Sequence, residues 1–243
     1  MENGTIKIFE SDTQLVEGLV DDMIEYFENQ LKIVPFVSVA LSGGNTPKKI
    51  YKYISEKYGD LTIWENIKFF WGDERCVPPE DPESNFGAAK ELFFDKIKKT
   101  GLQIFRMRGE ENPANEAERY ASLLLNEIEN ENGLPRFDLV ILGIGEDGHT
   151  ASIFPNQMDL LSSQKICEVS TNPENGQKRI TLTGTVINMS KRVTFMATGE
   201  SKQDVLRAIH NNEPAARKFP AAKIAPQNGL IDWYLDSDAA DQI

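Results

Sequence analysis

Short apolar runs rich in β-branched and aromatic residues alternate along this chain with amphipathic stretches of helical period, and that alternation restricts the fold more than any other feature. Strands separated by helices come to lie side by side in one direction, so the pattern predicts an α/β protein with a mainly parallel sheet flanked by helices. Thr5–Phe9 reads as a first strand. Ser11-Asp-Thr-Gln14 follows as a capping-box pattern, ahead of Leu15, Leu19, Met23, Phe27 and Leu31 at four-residue spacing, and predicts a long helix. Phe36–Leu41 suits a buried strand, with Thr46 as an N-cap and Pro47 in the first turn of the next helix. Ile67–Trp71, Gln103–Met107, Phe137–Leu142, Ile166–Ser170, Arg192–Ala197 and Leu230–Leu235 read as further strands. Helices are expected to open near Ser84, to be capped by Asn112-Pro113, and to span Ser201–His210. No repeat, low-complexity stretch or Pro/Gly/Ser linker interrupts the series, so residues 1–243 read as a single domain with room for a full core.

Composition removes several classes of function. A net charge of −12 repels polyanions, and the Lys and Arg residues form no stripe, so nucleic acid is excluded as a partner. An anionic substrate would need a few basic residues to converge locally against that field. No run approaches the roughly 20 apolar residues that span a bilayer, and Met-Glu-Asn-Gly-Thr has neither a basic region nor an apolar core, so neither membrane insertion nor secretion is expected. Two distant cysteines, Cys76 and Cys167, make no disulfide framework and fit a cytoplasmic protein. Two histidines without a ligand pattern disfavour a zinc enzyme, and no cofactor is expected.

In open parallel sheets, ligands sit beyond the carboxyl ends of the strands, so the loops after predicted strands are the candidates for chemistry. Ser42-Gly-Gly-Asn-Thr-Pro47 joins glycines to a helix N-terminus; it reads either as an anion cradle or as a tight turn with a helix cap. It matches neither the Walker A loop nor the dinucleotide fingerprint, which disfavours ATP and NAD. The loop Gly72–Val77 carries Asp73, Glu74 and Arg75. Arg75 can grip a phosphate bidentately while Asp73 or Glu74 holds Arg75 or a sugar hydroxyl; the bland reading is a surface ion-pair cluster. Cys76 has no histidine partner in the sequence and reads as a packed thiol. In the third loop, glycines at 143, 145 and 148 surround His149, the best general-base candidate, against the alternative of a hydrogen-bonded structural histidine. His210, at a helix end, reads as a structural, partly exposed imidazole favoured by the helix dipole. The last region joins Lys178–Thr183 to Gly199-Glu-Ser-Lys202; Arg179 and Lys202 would complete a cationic cluster with Arg75, or else are solvated surface cations.

Taken together and in order, Ser42-Gly-Gly-Asn-Thr-Pro47, Asp73–Val77 with Ser84-Asn85, Asp147-Gly-His-Thr-Ala-Ser152, Arg179-Ile-Thr-Leu-Thr183 and Gly199-x-x-Lys202 resemble the 6-phosphogluconolactonase family of the glucosamine/galactosamine-6-phosphate isomerase superfamily, over essentially the whole chain. The resemblance implies a Rossmann-like fold and a cofactor-free enzyme of the oxidative pentose phosphate pathway. Such an enzyme opens 6-phospho-D-glucono-1,5-lactone to 6-phosphogluconate. It implies that His149 activates water, that Asp147 orients it, and that Arg75, Arg179 and Lys202 hold the phosphate. The oxyanion would fall to Arg75 or to backbone N–H groups of the Ser42–Thr46 loop, with Ser42, Gly43, Gly44, Asn45, Thr46, Asp73 and Asn85 completing the substrate site. The partner is then a small phosphorylated lactone, and the protein a monomer or small homo-oligomer.

Three positions depart from the family pattern: Asn45 where Ser is commoner, Phe86 where Tyr is commoner, and Asn175-Gly-Gln-Lys178 without the usual prolines ahead of Arg179. The rival is a glucosamine-6-phosphate deaminase/isomerase, which shares the glycine-rich loop and the Asp-Gly-His segment. That group carries a Phe-Asn-Glu-Pro-like stretch soon after its histidine, whereas Thr150-Ala-Ser-Ile-Phe-Pro155 supplies no carboxylate. A sugar-phosphate sensor would need the cations but not His149.

Overall fold

The computed structural model describes residues 4–243, so Met1, Glu2 and Asn3, on which the reading of the N-terminus partly rests, lie outside the described residues. In chain order the elements are β1 (Gly4–Phe9), α1 (Asp12–Gln30), β2 (Val37–Leu41), α2 (Asn45–Lys57), β3 (Ile67–Trp71), β4 (Asp73–Arg75), α3 (Asn85–Ala89) and β5 (Gln103–Ile104). Then come α4 (Pro113–Glu127), a hairpin of β6 (Asn130–Glu131) and β7 (Leu134–Pro135), β8 (Leu139–Gly143), β9 (Cys167–Thr171) and β10 (Lys178–Leu182). The chain ends with α5 (Gly184–Met189), β11 (Arg192–Ala197), α6 (Gln203–His210), β12 (Leu230–Asp236) and α7 (Ser237–Ala240).

Seven strands form one sheet in the order β1-β12-β11-β8-β2-β3-β5, and every neighbouring pair is parallel. Successive side chains leave a strand on opposite faces, so a strand covered on both sides must be apolar throughout. In β2, Val37, Val39 and Leu41 join the core under α1 and α2, whereas Ala40 faces the core on the α4 side. The same division places Phe69 and Trp71 on one face of β3 and Phe70 on the other. Truncating a buried ring such as Phe69 to Ala would cost about 3–5 kcal/mol.

Helix α1 begins as its sequence dictates: Ser11 accepts from the Gln14 amide at 3.3 Å, and Leu15, Leu19, Met23 and Phe27 are buried. Helix α2 differs. It starts two residues before the expected position, with Gly44 at φ 108° as its N-cap, and Thr46 makes no capping bond because its hydroxyl meets that of Thr198 at 3.1 Å. The strand expected over Gln103–Met107 pairs only at Gln103 and Ile104, alongside the edge of β3.

A larger correction concerns β9 and the segment expected to be a loop at Gly72–Val77. Asp73–Arg75 is a short strand running on from β3, and it pairs antiparallel with β10, which pairs antiparallel with β9. Residues 167–171 therefore belong to a second, three-stranded sheet and not to the parallel one. The sequence hides this because a strand as short as Asp73–Arg75 has no room to display alternation. No helix among the described residues is long and apolar enough to cross a membrane.

Candidate active site

The parallel sheet reverses its order of growth between β2 and β8: from β2 the chain moves outward to β3 and β5, and from β8 outward to β11 and β12. Crevices open beyond the carboxyl ends of strands at such switch points. Here the crevice is a cleft of about 420 Å³, walled by the loops after β2, β8 and β11 and roofed by the antiparallel sheet. Ser42, Gly43, Gly44, Asn45, Thr46, Asp73, Arg75, Asn85, His149, Arg179 and Lys202 all line it. Asp147 stands behind His149 and does not itself line the cleft.

His149 is held by its own loop. Asp147 Oδ1 lies 2.6 Å from His149 Nδ1 and also accepts from the His149 amide at 3.1 Å. That contact puts the proton of a neutral imidazole on Nδ1 and leaves the Nε2 lone pair unused. Partial burial alone would raise the Asp147 pKa, but the bonds from the His149 ring and backbone outweigh it and hold the carboxyl below its usual range. Gly145 is required by this pair: a Cβ there would sit 2.1 Å from His149 Nδ1 and 2.5 Å from Asp147 Oδ1. Past the histidine, Thr150 and Ile153 exchange backbone bonds across a turn in which Ala151 adopts the left-handed φ of 48°. A non-glycine residue there stores about 1–2 kcal/mol of strain.

The opposite wall is a ladder. Arg75 on β4 and Arg179 on β10 are cross-strand partners, so the backbone register sets two guanidiniums side by side. Asp73 Oδ2 accepts from Ser152 Oγ at 2.5 Å and lies 4.0 Å from Arg179 Nη1, while Arg179 Nη1 is 3.4 Å from Ser152 Oγ. Burial lowers the Arg179 pKa, opposed by the charge of Asp73. Arg75 Nη1 donates to the Glu83 carbonyl. The Nε of each arginine, a donor, and Oδ1 of Asn85, an acceptor, are buried without a hydrogen-bond partner, an arrangement that suits a ligand carrying both anionic oxygens and hydroxyls. Asn85 is pressed against the glycine loop: a Cβ on Gly43 would lie 1.7 Å from Asn85 Oδ1. Buried Phe154 links the two walls, with the His149 ring at 4.9 Å and the Arg179 guanidinium at 5.7 Å from its centroid.

Glu74 is not where the sequence reading put it. Its carboxylate is buried and accepts from the Arg75 backbone, not from the guanidinium. Phe86, where a hydroxyl was expected to be missing, packs edge-on against Trp71 at 5.4 Å. The loop before Arg179 leaves that side chain aimed into the cleft. Cys76 is a packed thiol whose pKa burial pushes up to about 11. His210 is not a dipole partner: it sits edge-on to Trp233 at 5.0 Å, and burial lowers its pKa, favouring the neutral ring. Lys202 reaches the cleft rim, 3.9 Å from Glu146. Sequence reasoning missed Ser152, Glu146, Thr198 and Ser201, of which Ser152 joins the walls and the other three line the cleft. Their signal was position: Glu146 and Thr198 just after strands, Ser201 beside Lys202, and Ser152 at the end of the Asp147–Ser152 motif.

Residues 10–233 match the family model described as glucosamine-6-phosphate isomerases/6-phosphogluconolactonase. The chain belongs to that family. Among relatives, it is 41% identical to a 6-phosphogluconolactonase of Haemophilus influenzae over 90% of this chain and 93% of the other. A crystal structure of the devB protein superposes with a TM-score of 0.92 at 42% identity, covering 99% of each chain. The 6-phosphogluconolactonase of Trypanosoma brucei superposes with a TM-score of 0.85 at 27% identity, covering 99% of this chain and 98% of that one. The expected family and fold are thereby borne out, and within the family the Haemophilus influenzae and Trypanosoma brucei proteins carry the lactonase name.

Proposed function

We propose that this protein hydrolyses 6-phospho-D-glucono-1,5-lactone to 6-phosphogluconate, with His149 activating water on one wall of the cleft, and the phosphate held by Arg75 and Arg179 on the other and by Lys202 at the rim. The observation that carries this reading is the pairing of His149 with Asp147 opposite two cross-strand arginines in one cleft. His149 Nε2 takes a proton from water as the oxygen bonds to the lactone carbonyl carbon. The resulting oxyanion is met by Arg75 or by the free N–H groups at the start of α2, where the first turn has no intrahelical partners. Collapse breaks the bond to the ring oxygen, which receives the proton from the imidazolium, and the new carboxylic acid ionises. Asp147 keeps Nδ1 protonated and stabilises the transient imidazolium. One placed base contributes about 10²–10⁴-fold, and a held substrate supplies orientation, so no covalent intermediate is needed.

Deamination or aldose–ketose isomerisation needs a further acid/base group at the sugar. The turn after His149 offers Thr150, Ala151 and Ser152, and Ser152 is committed to Asp73 and Arg179. Two free thiols suit a reducing cytoplasm. The test is to supply purified protein with fresh 6-phosphogluconolactone and, separately, glucosamine 6-phosphate, following acid and ammonia. Accelerated acid release without ammonia is expected; ammonia without accelerated lactone opening would overturn the proposal.

A further inference from the structure

Glu74 is buried at 2% exposure, one residue from Arg75, and the proton transfers above make no use of it. Its oxygens are fully engaged. Oε1 accepts from the amides of Arg75 at 2.8 Å and Asn85 at 2.7 Å, while Oε2 accepts from the amide of Phe86 at 2.8 Å and from Ser84 Oγ at 3.1 Å. Ser84 Oγ in turn accepts from the Gly87 amide at 2.9 Å, closing the start of α3. Two parts of the anion wall therefore meet on one carboxylate: β4, which carries Arg75, and the segment that carries Asn85 and, through the Glu83 carbonyl, steadies the Arg75 guanidinium.

We propose that Glu74 is a positioning residue for anion binding: by gathering the backbone of Arg75, Asn85 and Phe86 and the hydroxyl of Ser84, it fixes Arg75 and Asn85 relative to each other on the anion wall. The inference rests on the cleft being a phosphosugar site. Four donors converge on the four acceptor positions of an ionised carboxylate; an amide would turn hydrogens toward at least one backbone N–H, and a carboxylic acid keeps all four contacts only by reversing the Ser84 bond, its proton going to Oγ.

Protonation has a direction and a cost. Burial pushes the Glu74 carboxyl up from 4.5 to about 6, against the three backbone bonds that lower it, with the neighbouring charge of Asp73 adding to the rise. Around it stand Tyr51 from α2, Cys76, Arg106 and Arg179; the tyrosine and thiol are themselves pushed up by burial and stay neutral. The native protein thus holds a proton between about pH 4.5 and 6 that the unfolded chain releases, so the contribution of Glu74 to stability falls as pH rises through that window. A group that costs folding stability when charged, yet is charged at neutral pH, is explained by what it positions. Below about pH 6 a proton takes one of the four acceptor positions, and on this proposal the hold on Arg75 and Asn85 weakens.

Sulfate is the probe, because a phosphate ester itself titrates near pH 6 and would mask the effect, roughly. Sulfate affinity is measured by isothermal titration on wild-type protein, E74Q and S84A, each checked by near-UV circular dichroism and melting. At about pH 7.5, E74Q is expected to bind about tenfold more weakly, the equivalent of one charge-assisted bond, and S84A more weakly by a smaller factor. In the wild type, affinity should fall between about pH 7.5 and 5.2 relative to E74Q, in which the Glu74 contribution is gone. Every other group of the cleft is common to both proteins, so the difference between them isolates Glu74. In turnover, E74Q should raise KM more than it lowers kcat. Folded E74Q with wild-type affinity, or with the wild-type pH dependence, overturns the proposal; if E74Q does not fold, unweakened binding by S84A does so. Unchanged sulfate affinity in R179A would instead remove the anion-site reading on which the inference stands.

Discussion

The two walls of the cleft are built by opposite means. His149 sits on a glycine-rich loop after a parallel strand, its side chain 31% exposed, and its orientation depends on one carboxylate, Asp147, two residues away. Arg75 and Arg179 sit on a hydrogen-bonded antiparallel ladder, and Arg179 is 11% exposed with Asp73 and Ser152 beside it. A proton-transfer group must reach water and the reacting carbon, so it belongs where backbone can approach closely. A phosphate grip must hold a fixed spacing between cations, so it belongs where register sets that spacing. The contrast implies that damage to the first wall will appear in turnover and damage to the second in affinity.

The largest expected effect is that of H149A, which removes the base. Its kcat should fall by about 10²–10⁴-fold with KM little changed, measured by acid release from fresh lactone; an unchanged kcat removes His149 from the mechanism. R179A breaks the other wall. Loss of a charge-assisted contact worth about 1.5–3 kcal/mol should raise KM by roughly ten- to a hundredfold with kcat less affected, and inhibition by inorganic phosphate should weaken in parallel. If neither changes, the phosphate sits elsewhere.

D147N sharpens the comparison by altering charge while keeping an acceptor for Nδ1. A loss in kcat of about tenfold or more is expected, since the imidazolium is no longer matched by a carboxylate. Because the Asp147 carboxyl is held below its usual range, its contribution to stability is present above that range and fades as pH falls through the lowered value. The difference in melting temperature between wild type and D147N should therefore shrink in acid, and a difference that persists there would mean the charge is not responsible. A151G is the mildest change. Relief of the left-handed strain at φ 48° should leave stability equal to or above wild type by up to about 1 kcal/mol, read as a melting shift of a few degrees, with kcat nearly unchanged.

The unequal construction of the walls also explains what the sequence could reveal. The parallel sheet was legible because its inner strands, such as β2 and β8, are buried and largely apolar on both faces, and because several of its helices carry recognisable caps, as at Ser11 and Asn112. The cleft residues were legible from motifs at strand ends. The ladder was not, because Asp73–Arg75 spans too few residues to show a period and its partner Lys178–Leu182 lies about a hundred residues away. Ser152 and Glu74 escaped for a related reason. One is polar and fully buried by partners distant in sequence, and the other resembles a surface charge until its four donors are seen together.

The separation of the walls is tested most directly by kcat/KM for the phosphorylated lactone in H149A, R179A and the double variant. If His149 acts on bound substrate and Arg179 only holds it, the logarithmic losses should add to within about 1 kcal/mol, the margin left for the Phe154 ring that both touch. A double variant no worse than either single one would show that the two residues serve one step, and would contradict the division between a reacting wall and a holding wall.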